Sequence, residues 1–156
     1  MGELRFGLGF DSHPRAADRP LYLGGVHFDG EPGLAGHSDA DVVCHALADA
    51  LLGAGGLGDI GQHFPDSDPS FEGIEGLDLL SKTVDLVRRT GLSPVSCDLT
   101  VIADRPAIGP RRDEIRRNLA EVLGVGEDRV SVKGTRPEGL GFSGDGAACL
   151  ALAVVS

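Results

Sequence analysis

The stretch GHSDADVVCHALADALLGA, residues 36–54, decides the fold. Val42, Val43, Leu47, Leu51 and Leu52 recur at helical spacing, so residues 38–54 read as a helix. Ser38-Asp39-Ala40-Asp41 has the form of an N-terminal capping box, with Asp in the Glu place. Working outward, residues 3–10 and 20–28 read as strands separated by a polar turn. Residues 55–74 are rich in Gly, Pro and Asp and read mostly as loop. Residues 75–91 form a second helix, 96–104 a strand, 110–124 a third helix ending at Gly124, and 129–134 and 146–155 the last strands. Helices interspersed with strands predict an α/β fold, an α+β sandwich, in one domain over residues 1–156 with helices on one face of a mixed sheet.

The 156 residues are 41% hydrophobic but only 4% aromatic, with no Trp, so small aliphatic side chains must fill the core. The formal net charge of -10 argues against nonspecific binding to nucleic acid or to an anionic membrane. A phosphate ligand would need local cations, metal ions or backbone N–H groups to overcome that field. Cys44, Cys97 and Cys149 are far apart and odd in number, with no CxxC, which predicts reduced core thiols rather than a disulfide framework. No leader is evident and no apolar run reaches the roughly 18 residues that span a bilayer, so a cytoplasmic protein is expected.

Asp11-Ser12-His13 stands where the first strand should end. Asp41, His45 and Asp49, four apart, share one face of the helix. His37 and Ser38 sit at its amino end, where backbone N–H groups favour anions. Asp11, His13 and His45 together make a nitrogen and oxygen ligand set with room for an open position, which suits catalytic zinc. Taken singly, each feature has a plainer reading: a chance DxH, a helix cap at Asp41, a satisfied core histidine at His45. The loop at 58–69, GDIGQHFPDSDP, offers backbone N–H groups and carboxylates to a polyol phosphate, or is an ordinary surface turn. At 133–142, KGTRPEGLGF, a strand breaks into a loop where Glu138 suits magnesium, or where the charges are simply solvated.

Five blocks carry a resemblance: GFDSH at 9–13, GHSDADVVCHALADALLGA at 36–54, GDIGQHFPDSDP at 58–69, IADRPAIGPRR at 102–112 and KGTRPEGLGFSGDG at 133–146. Their order and spacing resemble the 2-C-methyl-D-erythritol 2,4-cyclodiphosphate synthase family of the non-mevalonate isoprenoid pathway. The resemblance implies a metal-dependent, cyclising phosphorus–oxygen lyase that converts 4-diphosphocytidyl-2-C-methyl-D-erythritol 2-phosphate to the cyclic diphosphate and CMP. It implies a homotrimer around a central sheet-lined axis, with active sites between subunits. It implies one zinc ion per site on Asp11, His13 and His45, and magnesium or manganese at Glu138. His37, Ser38, Thr135 and Arg136 fall at catalytic positions. Asp59, Ile60, Gly61, Phe64, Pro65, Asp66, Ser67 and Asp68 fall in the methylerythritol-phosphate loop. Ala103, Asp104, Arg105, Pro106, Ala107, Ile108 and Gly109, with Lys133, Thr135, Glu138 and Phe142, fall at positions that meet cytidine and its diphosphate.

The chain departs from the family pattern at four positions. Arg136 stands where a second Thr is usual, Asp145 where an Arg is usual, and Ala147 and Leu152 where Glu is usual. The expected Arg and Glu line a trimer-axis cavity that in some members binds isoprenoid diphosphates, so this anion site is expected to be lost. An Arg136–Asp145 ion pair would account for two of the changes together. The alternatives are a relative that cyclises a different CDP-alditol phosphate, a noncatalytic nucleotide-binding relative, or a plain zinc hydrolase.

Overall fold

The computed structural model describes residues 2–141 and 145–156. In chain order the elements are β1 (Arg5–Ala16), β2 (Tyr22–Leu23), β3 (Val26–His27), β4 (Gly33–Leu34), α1 (Val42–Gly55), α2 (Ile60–His63), α3 (Gly76–Arg89), β5 (Pro94–Ala103), α4 (Arg112–Leu123), β6 (Val130–Thr135) and β7 (Gly146–Val155). The main sheet has the order β4-β1-β7-β5-β6, parallel between β5 and β6 and antiparallel elsewhere. The predicted α/β fold with a mixed sheet is therefore what forms.

Helix α1 lies across β1 and β7, α3 packs on α1, and α4 on α3 and β6. Two glycines set how closely α1 lies on the sheet. A Cβ on Gly7 would fall 1.9 Å from the Ala50 carbonyl oxygen, and one on Gly9 would fall 1.9 Å from that of Ala46. The helix backbone thus rests on the bare backbone of β1, and Ala46, Ala50 and Ala54 keep the contact thin. Strand alternation then sends Gly7, Gly9, Asp11 and His13 to one face of the sheet, beneath α1. Phe6 and Leu8 point the other way and are 62% and 68% exposed, beside Leu150 and Leu152 of β7. Cys44, Cys97 and Cys149 are free and buried, and burial pushes the Cys97 thiol up to about 12.

Three expected boundaries change. Strand β1 does not end at Asp11 but runs on to Ala16, because Asp11, His13 and Pro14 stay paired with Cys149, Ala147 and Gly146 and Arg15 pairs with Leu34. The strand expected at 20–28 is a miniature hairpin, with Gly24 and Gly25 at positive φ in its turn. The α1 cap is Asp41 rather than Ser38. Asp41 is fully buried and collects four backbone N–H groups: its Oδ1 accepts from Gly24, Val43 and Cys44, and its Oδ2 from Gly25. Asp41 therefore ties the hairpin to the helix and takes no part in a site with His45. Asp41→Ala is expected to cost about 3 kcal/mol or more in denaturant unfolding, because those donors lose their acceptor in a dry setting; Asp41→Asn, which keeps one oxygen, should cost less.

Candidate metal centre and nucleotide pocket

The extended β1 brings Asp11 and His13 under α1, two residues apart on one face, and the second turn of α1 lowers His45 onto them. Asp11 Oδ2 lies 3.1 Å from His13 Nε2 and 3.3 Å from His45 Nδ1. All three donor atoms fall within 4.8 Å of one another. Asp11 Oδ2 is buried yet receives no well-directed hydrogen bond. A buried anionic oxygen without a donor, facing two ring nitrogens, is a costly arrangement unless a cation completes it. Two imidazoles and a carboxylate are also the donor set that zinc accepts, so these residues fit the ion. On its far side His45 Nε2 lies 3.1 Å from Ser38 Oγ, which orients the ring and frees Nδ1 toward the centre.

Burial raises the Asp11 carboxyl, but the imidazoles of His13 and His45 outweigh it and hold it well below the usual carboxylate range. Burial lowers His45, but the adjacent Asp11 carboxylate more than reverses this and leaves it raised above 6.5. In the metal-free protein the His45 contribution to stability is complete below 6.5 and is lost as pH rises through the raised value. The Asp11 contribution is complete above 3.8 and is lost as pH falls through the lowered value. Metal competes with the His45 proton, so zinc affinity is expected to strengthen by about tenfold per pH unit up to the His45 value and then to level off. Competition titrations between pH 6 and 8 check this; a flat profile would count against ligation by His45.

The centre opens into a cavity of about 680 Å³. His37, Ser38, Ile60, Gly61, Phe64, Pro65, Asp66, Ser67 and Asp68 all line it, as do Gly36, Phe71 and Glu72, which the sequence reading did not single out. Phe64 and Phe71 meet edge to face, with ring centroids 5.2 Å apart, and give the cavity an apolar wall. His37 is largely exposed, 3.9 Å from Asp66. Asp59 stays out of the lining and instead caps α2, accepting from Gln62 N. Asp49 accepts from Ile60 N and anchors the same short helix. The expected loop at 55–74 thus carries α2 and a 3₁₀ turn at Pro69–Phe71.

A second cavity, of about 210 Å³, is lined by Ala103 at the end of β5, by Asp104, Pro106, Ala107, Ile108 and Gly109 beyond it, and by Thr135 and Arg136 at the end of β6. Gly134 makes room there: a Cβ would sit 3.0 Å from Ile108 Cβ. Arg105 turns away to Glu31, 3.5 Å distant. Lys133 does not line the cavity and instead pairs with Asp98 at 2.6 Å. Glu138 is exposed on the following turn at positive φ. Phe142 lies outside the described residues. No ion pair joins Arg136 to Asp145 among the described residues; the Asp145 carbonyl accepts from Arg15 N, and its carboxylate acts on the Arg15 guanidinium. Leu152 sits on the open face of the sheet, paired in register with Leu8 and Asp98.

The two cavities share no lining residue. No helix among the described residues is long and apolar enough to cross a membrane. The profile of the YgbB family matches residues 4–156. A 2-C-methyl-D-erythritol 2,4-cyclodiphosphate synthase of Symbiobacterium thermophilum is 51% identical over 152 residues, covering 96% of this chain and 97% of its own. That of Trichlorobacter lovleyi is 50% identical, covering 97% of each. A solved structure of 2C-methyl-D-erythritol-2,4-cyclodiphosphate synthase in a CDP-bound form superposes with a TM-score of 0.90 at 37% identity, over 97% of this chain and 100% of that one. The chain belongs to the YgbB family, the family of these 2-C-methyl-D-erythritol 2,4-cyclodiphosphate synthases.

Proposed function

We propose that the protein converts 4-diphosphocytidyl-2-C-methyl-D-erythritol 2-phosphate to 2-C-methyl-D-erythritol 2,4-cyclodiphosphate and CMP, in the cytoplasm, as a homotrimer. The observation that carries this reading is the convergence of Asp11, His13 and His45 in the wall of a cavity also lined by the 60–69 loop, in a chain of this family. An oxygen of the 2-phosphate attacks the β-phosphorus, the bond from that phosphorus to the α–β bridging oxygen breaks, and CMP leaves with that oxygen. The nucleophile is already anionic at neutral pH, so no strong general base is required. Zinc held by Asp11, His13 and His45, and magnesium or manganese met by Glu138, would supply charge neutralisation at the phosphates.

The protein's own residues orient and enclose. Ser38 and His37 stand beside the metal ligands to meet the phosphate, and residues 60–68 hold the methylerythritol end. Thr135 and Arg136 border the nucleotide cavity and would grip the diphosphate, where Arg136 replaces a hydroxyl by a bidentate cation. Holding both ends of one substrate turns the reaction into ring closure, worth roughly 7–11 kcal/mol in favourable cases. The Phe64–Phe71 wall would keep water from competing as nucleophile.

Because the two cavities of one chain are separate, each complete site is assembled from the metal cavity of one subunit and the nucleotide cavity of the next. The exposed apolar side chains Phe6, Leu8, Leu150 and Leu152 form a contiguous face on the sheet that supports such an assembly. The test is CMP release by the purified protein with zinc and magnesium, followed by mixing of two inactive variants. His45→Ala and a Thr135→Ala/Arg136→Ala double variant should regain part of the activity when co-assembled. Absence of CMP release from folded, metal-loaded protein would refute the enzyme, and failure of complementation would refute the shared site.

A further inference from the structure

The three-residue segment Gly36-His37-Ser38 touches both histidines of the metal centre. Gly36 lies against the His13 ring so closely that an added Cβ would come 3.2 Å from its Cε1. Ser38 Oγ lies 3.1 Å from His45 Nε2. The segment is irregular backbone, followed by Ala40 at a φ of 55°, a conformation that a non-glycine residue adopts at a cost. Its geometry must therefore be imposed from outside. The three carbonyls are all anchored: that of His37 accepts from Gly73 N, while those of Gly36 and Ser38 both accept from one side chain, Arg19.

Arg19 donates from Nη1 to the Gly36 oxygen at 2.5 Å and from Nη2 to the Ser38 oxygen. The planar guanidinium spans the two carbonyls that flank His37, a two-point grip that an ammonium does not reproduce. In a chain with 24 acidic residues, no carboxylate among the described residues lies within ion-pair distance of Arg19. Its hydrogen-bonding capacity goes to this segment. The main chain of Arg19 is held independently, with its carbonyl accepting from Gly33 N at 2.8 Å, so removing the side chain leaves the local backbone tied.

We propose that Arg19 is a positioning residue for the metal centre: its guanidinium clamps the Gly36–Ser38 segment and thereby fixes the rings of His13 and His45 for ligation. The inference rests on the metal-centre reading given above, and is tested by metal binding rather than by turnover. Outer partners of metal ligands typically carry about 10–100-fold in metal affinity, and the loss of this clamp falls in that range.

The experiment compares wild type, Arg19→Ala and Arg19→Lys for zinc affinity by competition titration, and for the visible spectrum of the cobalt(II)-substituted protein. Arg19→Ala is expected to bind zinc 10–100-fold more weakly and to show a shifted cobalt spectrum. Free guanidinium at low millimolar concentration should recover part of the affinity. Arg19→Lys should fall between wild type and Arg19→Ala. Wild-type zinc affinity and cobalt spectrum in folded Arg19→Ala would overturn the proposal, including the case where only the melting temperature falls. If Arg19→Ala does not fold, the same two readouts on Arg19→Lys decide, and wild-type values again overturn it. A wild-type protein that binds zinc but makes no cyclic product would count against the proposed reaction while leaving this inference intact.

Discussion

His45→Ala is expected to lose zinc and turnover together while keeping nucleotide affinity. The site offers three protein ligands, and a full zinc site in a small domain is worth roughly 10–16 kcal/mol. Removing one ligand of the set should therefore cost about 3–4 kcal/mol, or roughly 10²–10³ in affinity. The remaining pair, Asp11 and His13, still lies within contact distance, so weak residual binding at high zinc is expected rather than none. Turnover should fall by at least as much, since a metal held there would neutralise charge that develops at the reacting phosphate. CDP affinity should change less than about threefold, because no residue of the nucleotide cavity lines the metal cavity. Calorimetry with zinc and with CDP, on wild type and variant, checks both halves. Equal loss of CDP binding would mean that the zinc itself holds the CDP diphosphate.

Gly9→Ala is expected to damage stability and metal binding at once. The new Cβ would stand 1.9 Å from Ala46 O and 2.7 Å from Ala50 N, both backbone atoms of α1 that no rotamer change can remove. Helix α1 must therefore lift from β1. Overpacking of this kind costs about 1–3 kcal/mol where side chains can yield, and more where backbone must move, so a loss above about 3 kcal/mol is expected. His45 precedes Ala46 directly, and Asp11 lies two residues beyond Gly9. Any lift of the helix thus separates His45 from its partners. Urea unfolding in EDTA and a zinc titration of whatever remains folded measure the two effects; stability within about 1 kcal/mol of wild type would show that the helix does not depend on the bare strand.

The helix α1 and the strands β5, β6 and β7 were legible because each rests on a local rule of apolar spacing and turn residues, and Asp11, His13 and His45 were legible as a donor set that zinc accepts. What the sequence reading missed depends on distant partners. The continuation of β1 past His13 depends on pairing with Ala147, Gly146 and Leu34, none of them near in sequence. Ser38 and Asp41 both read as caps in the sequence, and what selects Asp41 is Gly24 and Gly25, whose N–H groups arrive from a separate hairpin. Ser38, freed from capping, reaches His45 instead. Arg19 gave no signal as one arginine in a polar turn, since its role exists only where that turn folds back on residues 36–38. Family resemblance pointed to the 60–68 loop, and the structure adds why it can form a wall: Asp49 and Asp59 fix α2, and Phe71 backs Phe64.

The most direct measurement is phosphorus NMR of the purified protein with 4-diphosphocytidyl-2-C-methyl-D-erythritol 2-phosphate, zinc and magnesium, beside the His45→Ala control. Paired signals of a cyclic diphosphate should grow with those of CMP, and neither should appear in the control. Inorganic phosphate as the product, or no change from a folded and metal-loaded protein, would contradict the proposed reaction.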